Sequence, residues 1–185
     1  MISRISRSYV VHNANPCPSA NRNETQELVS MDNALPVKTA VILIGIPASG
    51  KTAFFTEYFM DEYIHINLDT LHTRKKETLL LTECLSEGKS FVVDNTNPVI
   101  LDRQRYIVAA KAEGYRVLGY FFQSVLADCI ARNKNRTGKA RVPDVAIALK
   151  SNELELPCMK EGFDALYYVK LDDGGFIVEE WKNEL

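Results

Sequence analysis

Gly45-Ile46-Pro47-Ala48-Ser49-Gly50-Lys51-Thr52 is the stretch from which the rest of the chain is read. It satisfies the spacing G-x-x-x-x-G-K-[ST], which carries weight only between a strand and a helix. Thr39-Ala40-Val41-Ile42-Leu43-Ile44 supplies the strand, an apolar run rich in β-branched residues of the kind buried on both faces of a parallel sheet. Ala53 to Phe59 continues as a helix. Gly45 and Gly50 allow positive φ and close approach of the backbone, so N–H groups from Gly45 through Ile46, Ala48, Ser49 and Gly50 can converge on a phosphate at a helix N-terminus. Pro47 donates no N–H, so the cradle relies on the others. Lys51 is suited to neutralise the β and γ phosphates of ATP, and the Thr52 hydroxyl to hold Mg²⁺. The other reading, a glycine turn before an ordinary helix, does not account for the strand in front.

The 185 residues suit one domain with a sizeable core, and 46% hydrophobic with 25% charged residues is ordinary composition for a globular chain. A formal charge of −2 gives no global attraction to a polyanion, so a nucleic acid would have to be met by a local basic patch. Cys17, Cys84, Cys129 and Cys158 have neither C-x-x-C spacing nor nearby histidines along the chain, which reads as reduced thiols in the cytoplasm. No apolar stretch approaches the length of a membrane span, so no membrane partner is expected.

Residues 1–36 read as an unstructured tail, with five asparagines, Pro16, Pro18 and Pro36 and no sustained apolar period. An organised domain is expected over 37–185. A start at Met31 and a weak transit-peptide character remain open for the leading segment; a secretory signal does not fit, since no apolar run follows Arg4 and Arg7. Further along, Tyr63 to Leu68 reads as a strand ending at Asp69, and Thr73 to Glu87 as a helix stopped by Gly88. Phe91 to Val93 is a strand running into Asp94-Asn95-Thr96-Asn97, with Pro98 opening a helix to Glu113. Val117 to Phe122 is a strand, Val125 to Asn133 a helix, 132–141 a loop with five basic residues and no acid, and Asp144 to Leu154 a helix after Pro143. Leu166 to Leu171 and Phe176 to Trp181 read as strands joined by a turn at Asp172-Asp173-Gly174-Gly175. Strands alternating with helices predict an α/β fold: a P-loop, kinase-type three-layer sandwich with a mostly parallel central sheet, a basic lid and a possible antiparallel C-terminal edge.

Phosphoryl transfer needs a cradle, a metal, a group that orients the nucleophile and cations for the developing charge. Asp69, at the carboxyl end of a strand, is a candidate base or, alternatively, a cap for the next helix. Asp94 is placed to support Mg²⁺ or hold Thr52, or to form a turn. The basic run could cover ATP and deliver a guanidinium to the transferring phosphate, or be a solvated loop. His65 and Trp181 read as packing residues.

Asp69-Thr70-Leu71, Val93-Asp94-Asn95-Thr96-Asn97-Pro98 with Arg103-Gln104-Arg105-Tyr106, Ala131-Arg132-Asn133-Lys134-Asn135-Arg136, Val142-Pro143-Asp144 and Glu161-Gly162-Phe163-Asp164 follow one another with the order and spacing of another known group. Over about residues 39–171 the chain resembles the kinase domain of polynucleotide 5′-hydroxyl kinases. The resemblance implies ATP- and Mg²⁺-dependent phosphorylation of a DNA or RNA 5′-hydroxyl. It implies Asp69 as general base, Arg132 and Arg136 in the lid with Arg136 on the transferring phosphate, and Asp94 at the phosphate site. Ala48 departs from the glycine many members carry, and His72, Arg74, Lys75 and Lys76 are arranged differently from the family's substrate-gripping arginine. No accompanying phosphatase or ligase domain is expected in the remaining length. A P-loop kinase acting on a small-molecule or tRNA hydroxyl, which the modest net charge favours, and a nucleotide-binding regulatory module are the alternatives.

Overall fold

The computed structural model describes residues 37–172 and 175–182, leaving aside the Lys139 side chain. The expected tail at 1–36, Cys17, and Asp173-Gly174 of the expected turn lie outside the described residues. In chain order the elements are β1 (Thr39–Ile44), α1 (Lys51–Tyr58), β2 (Ile64–Ile66), α2 (Leu68–Leu71), α3 (Arg74–Glu87), β3 (Phe91–Val93), α4 (Ile100–Ala112), β4 (Arg116–Phe122), α5 (Leu126–Lys134), α6 (Asp144–Glu153), β5 (Ala165–Asp172) and β6 (Gly175–Glu180), with single 3-10 turns at Gly138–Ala140 and Met159–Glu161. Six strands form one sheet in the order β2-β3-β1-β4-β5-β6. All neighbours are parallel except β5 and β6, which pair antiparallel.

The apolar run of β1 lies between β3 and β4, and Ala40 to Ile44 are fully buried. Its period-two pattern divides it between two cores. Ala40, Ile42 and Ile44 meet Ile66, Cys84, Phe91, Val93, Tyr106 and Ile107, under α3 and α4. Val41 and Leu43 face the other way, onto Phe54 and Phe55 of α1 and Phe122 of β4. Burying a side chain of this size contributes about 1.5–3 kcal/mol, so a strand buried on both faces anchors three layers. A smaller cluster of Ile46, Ala48, Cys129 and Ile147 packs α5 and α6 onto the loop after β1.

Among the boundaries that differ from the sequence reading, three bear on the site. β2 ends at Ile66, short of Leu68, because the Asn67 side chain accepts the N–H groups of Asp69 and Thr70 and turns the chain into α2. Pro98 precedes α4 and does not begin it. Its carbonyl accepts from the Glu155 N–H and from Arg103 Nη1, and Val99 occupies the cap. The helix that enters the basic run ends at Lys134, one residue past Asn133, and Asn133 is buried with its amide bonded to Val142.

One buried ion pair fixes the turn after β3. Arg103 is fully buried; Nε and Nη2 donate to the two oxygens of Glu161 at 2.7 and 2.9 Å, and Nη1 donates to the carbonyls of Asn97, Pro98 and Glu155. Breaking such a pair leaves a buried carboxylate and three carbonyls short of donors, so Arg103→Leu is expected to cost about 3–5 kcal/mol in urea unfolding. Arg103→Leu combined with Glu161→Leu should recover only the part of that loss owed to the unpaired carboxylate.

Candidate active site

β3 and β4 flank β1 on opposite sides, so the chain reverses its winding about β1, and the crevice at the carboxyl ends of these strands is where a ligand meets an open α/β sheet. The Gly45–Thr52 loop fills that crevice. Gly45 has φ 156° and Gly50 φ 107°, and a Cβ on Gly45 would lie 2.9 Å from Ser49 Oγ. Ala48 also adopts positive φ, 65°, in the left-handed region that favours glycine.

The donors of the loop are divided between the protein and the crevice. The N–H groups of Gly45, Ile46 and Ser49 donate to Thr96 O, Ser124 Oγ and Ile46 O. The first turn of α1, Lys51 to Ala53, has N–H groups with no intrahelical acceptor, since the first such bond runs from Phe54 to Gly50. The N–H groups at the start of α1 therefore face the crevice as donors for an anion.

Lys51 is buried, and its Nζ donates to the carbonyls of Gly45 and Ile46 at 2.8 and 2.9 Å. Burial lowers its pKa from 10.5 to about 8; the charges of Asp94, Cys129 and Asp69 pull it upward, while Arg136 pushes it down. Asp69, at the start of α2, and Arg136, just past α5, thus both lie within electrostatic reach of the Lys51 ammonium. Between pH 8 and 10.5 the unfolded chain holds more protons at this lysine than the folded one, so stability rises with pH through that window. Below about pH 8 the full cost applies, of order 3 kcal/mol. Phosphate oxygens beside Lys51 would favour the ammonium, so nucleotide binding at pH 9 is expected to take up a proton. Calorimetry in buffers of different ionisation enthalpy measures that uptake.

Asp94 follows β3, buried, and Thr52 Oγ1 donates to its Oδ2 at 2.7 Å. The same oxygen receives Asn67 Nδ2 at 3.1 Å and lies 3.1 Å from His65 Nε2, which must carry the proton because a carboxylate only accepts. The His65 ring stacks on Phe55 with centroids 3.8 Å apart. A hydroxyl and a carboxylate in contact are the hard oxygen donors that suit Mg²⁺.

Asp69 is exposed in the first turn of α2 and is not the cap of that helix; Asn67 is. Arg132 donates from Nε to the Ala48 carbonyl at 2.8 Å, tying α5 to the phosphate loop. Arg136 is half-buried, its N–H on the Asn133 carbonyl. The segment Asp94-Asn95-Thr96-Asn97 holds the crevice together. Asp94 takes Thr52 and Asn67, the Asn95 Oδ1 accepts the Leu68 N–H, the Thr96 carbonyl accepts the Gly45 N–H, and Asn97 Nδ2 donates to the Leu43 carbonyl. The sequence reading gave no part in the site to His65, Asn67, Asn95 or Asn97. Their signal was a cluster of asparagines at strand ends.

Two curated proteins are similar to the chain at the sequence level. One is a putative bifunctional polynucleotide phosphatase/kinase of Acanthamoeba polyphaga mimivirus, 29% identical over 88% of this chain and 40% of that protein. The other is the bifunctional polynucleotide phosphatase/kinase of Schizosaccharomyces pombe, 27% identical over 85% of this chain and 37% of that protein. The domain is similar to polynucleotide phosphatase/kinases over most of its length and has a P-loop kinase-type fold. It spans about two fifths of the length of the curated relatives it matches. No family model matches it. Solved structures sharing the fold include a gluconokinase from Sinorhizobium meliloti 1021, with 17% identity, a TM-score of 0.51 and coverage of 72% of this chain and 83% of that one. Chaetomium thermophilum Kti12 in complex with ADP-AlF3 has 16% identity and a TM-score of 0.55, covering 72% of this chain and 90% of that one. Among the described residues of the domain, no helix is long and apolar enough to cross a membrane.

Proposed function

We propose that the domain transfers the γ-phosphoryl group of ATP to the 5′-hydroxyl of a polynucleotide. The observation that carries this reading is the contact of Thr52 Oγ1 with the buried Asp94 carboxylate, 2.7 Å apart, beside the buried Lys51 of the phosphate loop. The likeness to polynucleotide phosphatase/kinases supports the choice of acceptor. Exposed Lys75 and Lys76, in the first turn of α3 shortly after Asp69, supply positive charge for an acceptor's phosphates although the whole chain carries −2.

In this reading Asp69 accepts the proton of the acceptor hydroxyl as its oxygen bonds to the γ-phosphorus, the bond to the β–γ bridging oxygen breaks, and ADP leaves. Lys51 and the first-turn N–H groups of α1 hold the β and γ phosphates. Arg136 offsets charge on the transferring group, and Arg132 keeps α5 seated on the loop. Thr52 and Asp94 are the residues that would hold Mg²⁺, whose chemistry when bound is to neutralise phosphate charge.

An acceptor screen with γ-labelled ATP tests the proposal. Label should appear on an oligonucleotide with a 5′-hydroxyl and not on the same oligonucleotide with a 5′-phosphate. Label confined to inorganic phosphate, or to a polyol or intact tRNA, would overturn the assigned acceptor.

A further inference from the structure

We propose that Glu77, buried on α3, is a positioning residue for Asp69: it fixes the amide of Asn95, and Asn95 in turn fixes the helix that carries the acid. The proposal rests on the reading of Asp69 as the general base.

α2 has four residues, too few to be stable alone, so its place depends on what satisfies its leading N–H groups. Asn67 Oδ1 accepts those of Asp69 and Thr70 at 2.8 and 3.4 Å. The remaining one, from Leu68, goes to Asn95 Oδ1 at 3.0 Å. An asparagine side chain can present either its oxygen or its nitrogen, and only the oxygen serves Leu68. Glu77 makes that choice, with the Tyr106 hydroxyl accepting the same amide at the longer distance of 3.3 Å. Glu77 Oε1 accepts Asn95 Nδ2 at 2.7 Å, and an ionised carboxylate offers no donor that would suit the flipped amide.

Glu77 is itself held. Tyr106 donates its hydroxyl to Oε1 at 2.8 Å, and Arg74 Nη1 donates to Oε2 at 2.8 Å. Burial above all, with the hydrogen bond to Glu77, pushes the Tyr106 phenol up to about 12, so it remains a donor. Glu77 is 1% exposed, so its charge is met by these three donors and not by water. An apolar residue would fill this site on α3 at lower desolvation cost. The carboxylate adds a defined donor–acceptor direction running from Arg74 and Tyr106 to the Leu68 N–H.

Glu77→Gln keeps the shape and removes the direction, because a glutamine amide can donate to Asn95 and turn it over. The expected result in the intact chain is faster deuterium exchange at residues 68–71, by about tenfold or more, with exchange in β1 and α4 unchanged. Transfer to the acceptor should show kcat reduced by about tenfold with KM for ATP unchanged, since Lys51 and the phosphate loop are untouched. Glu77→Gln combined with Asn95→Asp reverses the bond between 77 and 95 but restores the acceptor for Leu68, as the introduced glutamine amide can donate to the introduced carboxylate and that carboxylate can accept the Leu68 N–H. Exchange and kcat should return to within about threefold of the original. If exchange at 68–71 is unaltered by Glu77→Gln, or the double variant is no better than the single, the proposal falls. Should the parent chain transfer phosphate to no hydroxyl, or Asp69→Asn keep full activity, the reading of Asp69 falls instead, and the exchange arm still decides whether Glu77 sets this helix.

Discussion

Arg136→Ala is expected to lower the rate of phosphoryl transfer by about 10³- to 10⁵-fold while ATP remains bound, the range found when a guanidinium leaves a transferring phosphoryl group. The expectation follows from where α5 ends. Arg132 is fastened to the Ala48 carbonyl of the phosphate loop and the buried Asn133 to Val142 just before α6, so the segment leading to Arg136 is anchored at two points. A half-buried guanidinium that lowers the Lys51 pKa sits in a region where charges are poorly screened, and a fixed cation there counts for more than in water. Arg136→Lys should recover only part of the loss, because an ammonium keeps the charge without the planar fork. Single-turnover transfer, with ATP affinity measured separately, checks both variants.

Asp69→Asn should reduce transfer by about 10²- to 10⁴-fold, the contribution of a positioned base. The substitution is a clean one. Asn67 caps α2 through the backbone N–H of Asp69 and not through its carboxylate, so the helix keeps its anchor. The Asp69 side chain is exposed, so no core packing depends on it. Because Asp69 lies on α2 and not in the phosphate loop, nucleotide affinity should change little. An equal loss of ATP binding and of transfer would point to a structural role for this residue.

The architecture was largely legible in the chain because it rests on local patterns. The run from Thr39 to Ile44 has the two-sided apolar character of a central strand, and the loop after it forces a turn into a helix. The strands closing on Asp94 and near Asp69 could be found in the same way, since an apolar run that stops at an acid needs no partner to be seen. What the sequence hid were polar contacts between distant positions. Glu77 meets Asn95 across 18 residues and Tyr106 across 29, and Arg103 meets Glu161 across 58. Glu77 lies on a helix whose neighbouring residues are charged and exposed, and its own burial becomes evident only when α4 packs beside it. His65 was read as core because its strand is apolar, yet Asp94, 29 residues on, receives its Nε2. The end of β2 was misjudged for a related reason: Asn67 and Asp69 are both good caps, and Asp94 and Asn95, just past β3, hold Asn67 and Leu68 so that Asn67 caps.

The central claim is that Asp69 and Arg136 act on one phosphoryl group from opposite sides. Single-turnover transfer by the double variant Asp69→Asn with Arg136→Ala tests it most directly, since groups serving one transition state lose their effects non-additively. The expected rate lies within about tenfold of the slower single variant. A double-variant rate equal to the product of two independent losses, or full activity in either single variant, would contradict the account.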